Sequence, residues 1–408
     1  MVRVLTVLAL VTCCSLVVAD EPGTITFVES VPLETEAHLD LPDVPNAPGV
    51  WLDLVQGAQH SLDIFSFYVS PDPDGEGPLR EVLDAAEDRA HEGVDVRLLT
   101  DAKFYKTYPE THDRWLERDH LDARLLDCGQ AWGGGVLHAK GMIVDDDTFF
   151  LGSQNWDWRA LEHIHEFGVV VVQQDLAADM ERLFELDWTY AGGQAPVVAR
   201  EVSHEPAFSP ARQLILPGGG TCDAVLAASP PQALPEGMPW DLPLLIDQID
   251  QAQERVRLQM LSYNPGDRDG GYWTALDGAL RRAAARDCEV QVILANWAKR
   301  HYMVPHLKSL TVMPHIEVRF TNVPPWSGGF IPFGRVEHAK YVTCDGQALW
   351  VGTANGSRDY FHQSRNISLF LRGAGTCDTA DRFFEASWDS PYAETVDPCA
   401  EYEPPRRQ

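Results

Sequence analysis

Two stretches of this chain, 200 positions apart, share one residue pattern and decide its fold. The first, at 137–155, reads LHAKGMIVDDDTFFLGSQN, and the second, at 337–355, reads EHAKYVTCDGQALWVGTAN. Further along, RLFELDW at 182–188 matches RFFEASW at 382–388 with the same offset of 200. A constant offset indicates two repeated halves of one fold, with no net insertion between the matched segments.

The repeat extends toward the N-terminus. AQHSLDIFSFYVSP at 58–71 matches AQERVRLQMLSYNP at 252–265, and each reads as a helix end that runs into a strand. A helix and a second strand follow in both halves. Strands that alternate with helical patterns predict an α/β fold of two pseudo-symmetric lobes, each a mixed sheet flanked by helices, packed face to face.

The composition divides the chain into five parts. We expect a signal peptide at 1–19, a first lobe at 20–200, a second lobe at 240–396 and a tail at 397–408. The segment 201–239 is rich in Pro, Gly, Ala and Ser and is predicted to connect the lobes.

The N-terminus resembles an export signal. Met-Val-Arg precedes an apolar run from Val4 to Val18, and the small residue Ala19 follows. This pattern predicts cleavage after Ala19 and a secreted, periplasmic or organelle-lumen location. A membrane anchor is disfavoured because the run is shorter than about 20 residues. A lipidated Cys13 or Cys14 is the other alternative.

The charge and the cysteines bound the class of protein. The formal net charge of −29 excludes a general polyanion-binding surface, so a phosphate substrate must meet a local positive site. The predicted mature chain has an even number of cysteines, which is compatible with disulfides in an oxidising compartment. They are Cys128, Cys222, Cys288, Cys344, Cys377 and Cys399. None forms a close CxxC pair of the kind found in zinc sites.

The repeated stretch carries the motif HxKxxxxD. It occurs as His138, Lys140 and Asp145 and again as His338, Lys340 and Asp345. In a strand, residues two apart project from the same face, so each histidine and its lysine point into a common space. The two aspartates have the opposite parity and lie in turn sequences. We interpret them as orienting or structural carboxylates of the catalytic motif.

A small-residue bend follows each motif. The bends are Gly152-Ser153-Gln154-Asn155 and Gly352-Thr353-Ala354-Asn355. Glycine permits close backbone approach, and the asparagine amides, with Ser153 and Thr353 beside them, are candidate substrate-binding groups. Each half thus offers an imidazole, an ammonium and an amide. Two halves together supply a nucleophile and a proton donor for one phosphodiester.

These paired motifs resemble the HKD motifs of the phospholipase D superfamily, over nearly the whole mature chain. GSQNWDWRALEHIHEFGVVV at 152–171 and FFEASWDSPYA at 383–393 are similar to one branch of it. That branch holds the animal lysosomal single-strand 5′-exonucleases and the poxvirus envelope and nicking-joining proteins. The resemblance implies a phosphodiesterase with a phosphohistidine intermediate and neither metal nor other cofactor.

The resemblance also suggests roles for the site residues. It makes His138 the nucleophile and His338 the general acid, although the residues themselves leave the reverse assignment open. The two lysines and two asparagines would hold the phosphoryl oxygens. Glu166, also a candidate substrate-binding residue, stands where the superfamily often has a carboxylate that orients a histidine. The second half has Asn366 at the equivalent position, which leaves the orienting partner of one histidine open.

Other residues near the motifs give weaker signals. The aromatic residues that flank the motif ends could contact substrate but are more often packing; they are Trp156, Trp158, Tyr360 and Phe361. His163 and His165 fall on a predicted helix and are interpreted as non-catalytic.

We therefore expect a phosphodiesterase that trims single-stranded nucleic acid from a 5′ end. The alternative enzyme is a phospholipase D or phosphatidyl transferase, since the same paired-histidine chemistry splits a phospholipid. A non-catalytic binding protein is a third hypothesis, disfavoured because both motifs keep their histidine and lysine. The oligomeric state is left open.

Overall fold

The first half of the chain forms one mixed sheet with its helices. The computed structural model describes residues 21–116, 118–195, 202–266 and 271–407. The strands are β1 (Gly23–Ser30), β2 (Ser61–Ser66), β3 (Val69–Ser70), β4 (Asp95–Asp101), β5 (Leu121–Leu126), β6 (Gly141–Val144), β7 (Thr148–Gly152), β8 (Trp156–Asp157) and β9 (Ile164–Val172). The helices are α1 (Glu36–Leu39), α2 (Ala47–Gly57), α3 (Pro78–His91), α4 (Glu110–Leu116), α5 (Cys128–Trp132), α6 (Trp158–Glu162) and α7 (Gln174–Ala191).

The second half repeats this plan. Its strands are β10 (Arg212–Ile215), β11 (Thr221–Ser229), β12 (Arg255–Met260), β13 (Tyr263–Asn264), β14 (Glu289–Ala295), β15 (Ile316–Thr321), β16 (Val336–Glu337), β17 (Tyr341–Cys344), β18 (Ala348–Gly352), β19 (Gly356–Ser357), β20 (Asn366–Arg372) and β21 (Ala393–Thr395). Its helices are α8 (Asp241–Gln251), α9 (Thr274–Ala285), α10 (Val304–Thr311), α11 (Arg358–His362) and α12 (Asp378–Trp388). Short 3₁₀ turns lie at Pro231–Ala233 and Asn296–Ala298.

The two sheets have the same strand order. In the first, β5, β4 and β2 are parallel, and β6, β7, β9 and β1 follow as antiparallel neighbours. In the second, β15, β14 and β12 are parallel, and β17, β18, β20 and β11 follow in the same way. The predicted α/β fold of two repeated lobes with mixed sheets is confirmed.

The segment predicted as a connection, 201–239, contributes strands to the sheet. β11 pairs with β20 along seven residue pairs, as β1 pairs with β9 in the first lobe. β10 lies between β1 and β11 and joins the two sheets. The tail also packs on the body, since Lys308 Nζ donates to the carbonyl of Ala400. Proline and glycine content therefore marks the turns of this region and not its strands.

The repeated sequence RLFELDW/RFFEASW forms the helices that pack beneath the motifs. α7 buries Met180, Leu183 and Phe184 at helical spacing, and α12 buries Phe383 and Phe384 at the matching positions. α7 lies against β6 and β7, and α12 lies against β12 and β17. The repeat is therefore maintained by packing as well as by chemistry.

Each motif aspartate fixes a turn. Asp145 and Asp345 have positive φ angles of 49° and 53°, in the left-handed region. The Asp145 carboxylate accepts three backbone N–H groups, from Gln59, His60 and Ser61, at 2.6–3.0 Å. The Asp345 carboxylate does the same with residues 253–255 at 2.8–2.9 Å. Both aspartates tie the hairpin to the start of the neighbouring strand, which agrees with a structural role.

The lobes meet along a seam that runs directly before each motif histidine. The His138 N–H donates to the Arg365 carbonyl, and the His338 N–H donates to the His165 carbonyl, each at 2.9 Å. β16 and β9 pair in parallel across the same seam. His165 thus lies on strand β9, and its predicted helical position is wrong. A helix of five residues ends at Glu162, and the strand that follows is buried on both faces over its first six residues.

A charged pair is buried in the seam. The Arg365 guanidinium donates to both Asp187 oxygens at 2.7 Å, and both side chains are fully buried. At the matching positions of the other half, His165 faces Glu337 at 2.8 Å and Ser387 at 3.4 Å. Burial lowers the pKa of His165, but the charge and hydrogen bond of Glu337 outweigh burial and raise it above 6.5.

The six cysteines predicted to pair are free thiols in the structure. Five are buried, and Cys399 is exposed. The disulfide prediction is therefore not confirmed for the residues that the structure describes. The predicted signal peptide lies outside those residues. In the described part of the chain, no helix is both long and apolar enough to cross a membrane.

Glu29 on β1 should make stability depend on pH. Leu41 N–H donates to one carboxyl oxygen at 2.8 Å, the other oxygen has no partner among the described residues, and burial raises the pKa of Glu29 from 4.5 to about 7. The folded state thus holds this proton more tightly than the unfolded chain. The resulting stabilisation is complete below pH 4.5 and is lost as the pH rises through about 7.

Glu29→Gln imitates the protonated acid and should remove this dependence. We expect the variant to match the wild type near about pH 4 and to exceed its free energy of unfolding by about 3 kcal/mol near about pH 8. Urea unfolding at both pH values measures the difference, with the exposed Glu76→Gln as control. A difference that does not change with pH would contradict the prediction.

Candidate active site

Both motif histidines line one cavity of about 270 Å³ between the lobes. Asn155 and Asn355 line it as well, and the Oδ1 atom of each has no hydrogen-bond partner among the described residues. The tertiary structure thus brings one histidine and one asparagine from each half to a single space. This is the arrangement that the repeat predicts.

Asn366 fixes the tautomer of His138. Its amide nitrogen donates to the carbonyls of Tyr360 and Ser364, at 2.7 and 3.4 Å. Its Oδ1 atom therefore faces His138 Nδ1, at 3.1 Å, as an acceptor. His138 must carry its proton on Nδ1, so Nε2 keeps its lone pair.

Glu166 takes the corresponding place at His338. Its two carboxylate oxygens lie 2.9 and 2.8 Å from His338 Nδ1. Burial raises the pKa of Glu166, but the charges of His338 and Lys340 and the hydrogen bond of His338 lower it below 4.5. The carboxylate is therefore ionised, and its charge opposes the lowering effect of burial on the pKa of His338.

Both contacts run from one lobe to the other, which explains why the two halves carry different residues at this position. Glu166 belongs to the first lobe and orients the second histidine, whereas Asn366 belongs to the second lobe and orients the first. The orienting partner of His138, which the sequence leaves open, is thus the side-chain amide of Asn366. Glu166 was predicted to bind substrate, and the structure instead places both of its oxygens on His338.

Ser153 and Thr353 brace these orienting residues. Ser153 Oγ contacts Glu166 and the Phe167 backbone, which lowers the pKa of Glu166 further. Thr353 Oγ1 donates to Asn366 Oδ1 at 2.9 Å. Both hydroxyls are fully buried and outside the cavity lining. Both hydroxyls thus support the orienting side chains, and their predicted contact with substrate stays a prediction.

The lysines lie behind the histidines. Lys140 Nζ donates to the His138 carbonyl at 2.6 Å, and Lys340 Nζ donates to the His338 carbonyl. Both are fully buried, and neither is among the cavity-lining residues. Burial lowers the pKa of both ammonium groups, that of Lys340 to about 7, and mutual repulsion lowers that of Lys140 further.

The site therefore holds an excess of buried basic groups. Burial and then the two lysines lower the pKa of His138 well below 6.5. Burial also lowers the pKa of His338, and the charge of Glu166 opposes that shift. A bound phosphodiester would supply negative charge to this cluster and raise these pKa values. The site is thus suited to an anionic ligand even though the whole chain carries −29.

Most of the cavity lining was missed by sequence reasoning. Of the four aromatic residues suggested near the motifs, only Tyr360 lines the cavity, with its ring centroid 4.8 Å from that of His138. Trp156 stacks on Trp51 in the core, and Phe361 stacks on Trp273. The missed lining residues are Phe67, Tyr68, Phe104, Tyr108, Arg159, Ile164, Leu261, Trp297, Phe333 and Val336. Several follow parallel strands, whose carboxyl ends commonly border a ligand site.

A repeated α/β fold with two histidine–lysine pairs around one anion-suited cavity defines a phosphodiesterase. The sequence matches the family described as cardiolipin synthase, PLD-like domain, over residues 51–188 and 245–388. The chain belongs to this PLD-like domain family, as both motifs predict.

Known relatives span nearly the whole chain. A 5′-3′ exonuclease PLD3 from Macaca fascicularis is 32% identical, covering 93% of this chain and 82% of the relative. Phospholipase D Z from Dictyostelium discoideum is 28% identical, covering 92% and 91%. The solved phosphatidylserine synthase of Haemophilus influenzae Rd KW20 has a TM-score of 0.60 at 12% identity, covering 86% and 85%, and shows the shared fold.

Proposed function

We propose that this protein is a metal-independent phosphodiesterase that shortens single-stranded nucleic acid from a 5′ end through a phosphohistidine intermediate. The observation that carries the chemistry is the unequal pairing of two histidines in one cavity, one with an amide and the other with a carboxylate. The choice of nucleic acid is supported by the 5′-3′ exonuclease relatives and by the aromatic lining of the cavity.

His138 would act as the nucleophile. Asn366 holds a proton on Nδ1, and the lowered pKa of His138 keeps Nε2 unprotonated in the empty site. The Nε2 lone pair would attack phosphorus as the bond to the leaving oxygen breaks. The amide N–H groups of Asn155 and Asn355, with the two lysines behind them, would stabilise the charge that develops on the phosphoryl oxygens.

His338 would act as the general acid. Its Nδ1 is held by the Glu166 carboxylate, which favours the imidazolium and leaves Nε2–H to donate to the departing oxygen. In the second step, neutral His338 would take a proton from water, which attacks phosphorus and releases His138. Ser153 and Glu166 would act as positioning residues, since neither reaches the cavity.

A substrate panel separates this proposal from the phospholipid alternative. The exported protein, whose first residue N-terminal sequencing should place at Asp20, is incubated in excess chelator with a 5′-hydroxyl single-stranded oligonucleotide or with phosphatidylcholine vesicles. We expect stepwise shortening of the oligonucleotide, unaffected by chelator.

Three other results would count against the proposal. Release of choline without oligonucleotide cleavage would favour the phospholipase or phosphatidyl transferase function. Loss of oligonucleotide cleavage in chelator, restored by a divalent cation, would contradict metal independence. Cleavage of neither substrate, nor of bis(p-nitrophenyl) phosphate, would favour a binding protein.

A further inference from the structure

Four aromatic rings of the first lobe form one wall of the cavity. Phe67 and Tyr68 follow β2, and Phe104 and Tyr108 follow β4; all four are half-buried and line the cavity. We call them the aromatic wall. The Tyr68 ring is stacked with the Tyr108 ring at 4.7 Å and with the Phe104 ring at 5.7 Å, with interplanar angles of 18° and 19°. Phe104 also contacts Phe67 at 4.1 Å.

The wall is held by a buried ion pair. The Tyr68 hydroxyl donates to Asp157 Oδ2 at 2.8 Å, and Arg159 forms a salt bridge with the same carboxylate at 2.7 Å. Arg159 also reaches the Tyr108 hydroxyl at 3.4 Å. The Tyr68 hydroxyl is thus occupied as a donor, and the Tyr108 hydroxyl accepts from Arg159. The wall therefore presents mainly ring faces and edges to the cavity.

The described residues of the second lobe do not repeat this stacked cluster. β4 and β14 begin at 95 and 289, so equivalent positions of the two lobes in this region differ by 194. At that offset, Leu261 matches Phe67, Ser262 matches Tyr68 and Ala298 matches Phe104. The fourth match, Tyr302 for Tyr108, is aromatic but exposed and does not line the cavity. The repeated fold therefore does not require the three rings of Phe67, Tyr68 and Phe104, and their stacking with Tyr108 at the cavity points to a ligand.

The wall adjoins the reactive groups. The Phe67 ring centroid lies 5.1 Å from that of His138 and 5.2 Å from Lys140 Nζ. A flat ring system stacked on the wall would thus place an attached phosphate beside the proposed nucleophile. The cavity, at about 270 Å³, is at the small end of the range for ligand pockets and favours a single nucleotide unit over two acyl chains.

We propose that the aromatic wall is a stacking site for the nucleobase of one nucleotide at the scissile phosphate, without preference among the four bases. This inference rests on the proposed function, since it assumes a nucleic acid strand in the cavity. Stacking of a base on aromatic side chains contributes about 1–3 kcal/mol and tolerates any sequence, because every base has a π face.

Abasic oligonucleotides test the wall directly. Three single strands of equal length are compared: one intact, one with an abasic residue at the 5′-terminal nucleotide and one with it at the second. For the wild type we expect KM to rise about 10-fold for one of the two abasic strands and little for the other, with kcat changed less. Phe104→Leu should raise KM about 10-fold for the intact strand and leave the affected abasic strand unchanged.

Phe330→Leu is the matched control. Phe330 is an exposed aromatic residue of the second lobe that does not line the cavity, so its substitution should leave all three KM values unchanged. If Phe104→Leu melts at a lower temperature than the wild type, Tyr108→Leu serves as the second variant of the wall.

The outcomes separate this inference from the proposed function. Cleavage of all three strands with equal KM by the wild type would overturn the stacking site and leave the exonuclease proposal intact. Equal loss in Phe104→Leu for intact and abasic strands would also overturn it, since the ring would then act on the fold. Cleavage of phosphatidylcholine alone, weakened in Phe104→Leu, would assign the wall to acyl chains and reject both proposals.

Discussion

Replacement of His138 by alanine is expected to lower the rate of phosphodiester hydrolysis by about 10⁴-fold or more, whatever the leaving group. The reason is that no other described residue of the cavity offers an unprotonated imidazole held on Nδ1 by a neutral acceptor. Without that nitrogen, no covalent intermediate can form. The measurement is kcat/KM on a single-stranded oligonucleotide and on bis(p-nitrophenyl) phosphate, and both should be lost together.

Replacement of His338 by alanine should separate the two substrates. The nucleotide leaving group is a poor one and needs the proton of His338, so oligonucleotide cleavage should again fall by about 10⁴-fold. A p-nitrophenolate leaves without protonation. His338→Ala should therefore retain much more activity toward the first step with bis(p-nitrophenyl) phosphate, seen as a burst of p-nitrophenol.

The pattern across the two variants assigns the roles. If His138→Ala gives the burst and His338→Ala does not, the two histidines exchange roles. If neither substitution lowers the rate, the proposed chemistry is wrong. His301→Ala, at an exposed histidine outside the cavity lining, is the control for loss of an imidazole.

Arg365→Met should destabilise the protein by about 3–5 kcal/mol, which is a large part of the stability of an ordinary domain. The substitution leaves the Asp187 carboxylate fully buried without its partner. It also removes the donors to the carbonyls of Ser229 and Ala233. Because the Arg365 carbonyl accepts the His138 N–H, activity should fall as well.

A double variant shows whether the lone charge causes the loss. Arg365→Met with Asp187→Leu removes both charges from the seam and should recover much of the free energy of unfolding that Arg365→Met loses. Urea unfolding of the wild type and both variants gives these values. Arg282→Met, which breaks an ion pair whose arginine is 51% exposed, should cost less than about 1 kcal/mol. A similarly small cost for Arg365→Met would contradict the prediction.

Much of the site could be predicted because it is repeated. The histidines, the motif aspartates and the asparagines occur at a constant offset, and strand periodicity places each histidine and lysine on one face. The same reasoning named Ser153, Thr353 and Glu166 as candidate substrate contacts, whereas the structure places all three outside the cavity lining, where they support the site. The sequence alone does not show whether a hydroxyl or carboxylate beside a motif contacts the substrate or a neighbouring side chain.

The partners of the histidines depend on contacts between residues far apart in the chain. His138 and Asn366 are 228 positions apart, and His338 and Glu166 are 172 apart. The constant offset of 200 positions identifies Glu166 and Asn366 as equivalent residues. It does not show that each orients the histidine of the opposite lobe. That exchange follows from the seam, where strand β9 runs beside β16.

The sequence by itself determined the repeated α/β fold, the family and the two histidine–lysine pairs, because these follow from local periodicity and from an identical pattern written twice. Only the tertiary structure decided which side chain holds each histidine, which residues line the cavity and that the aromatic wall belongs to one lobe. The physical reason is that the protonation of a buried imidazole and the shape of a cavity depend on neighbours across the lobe interface.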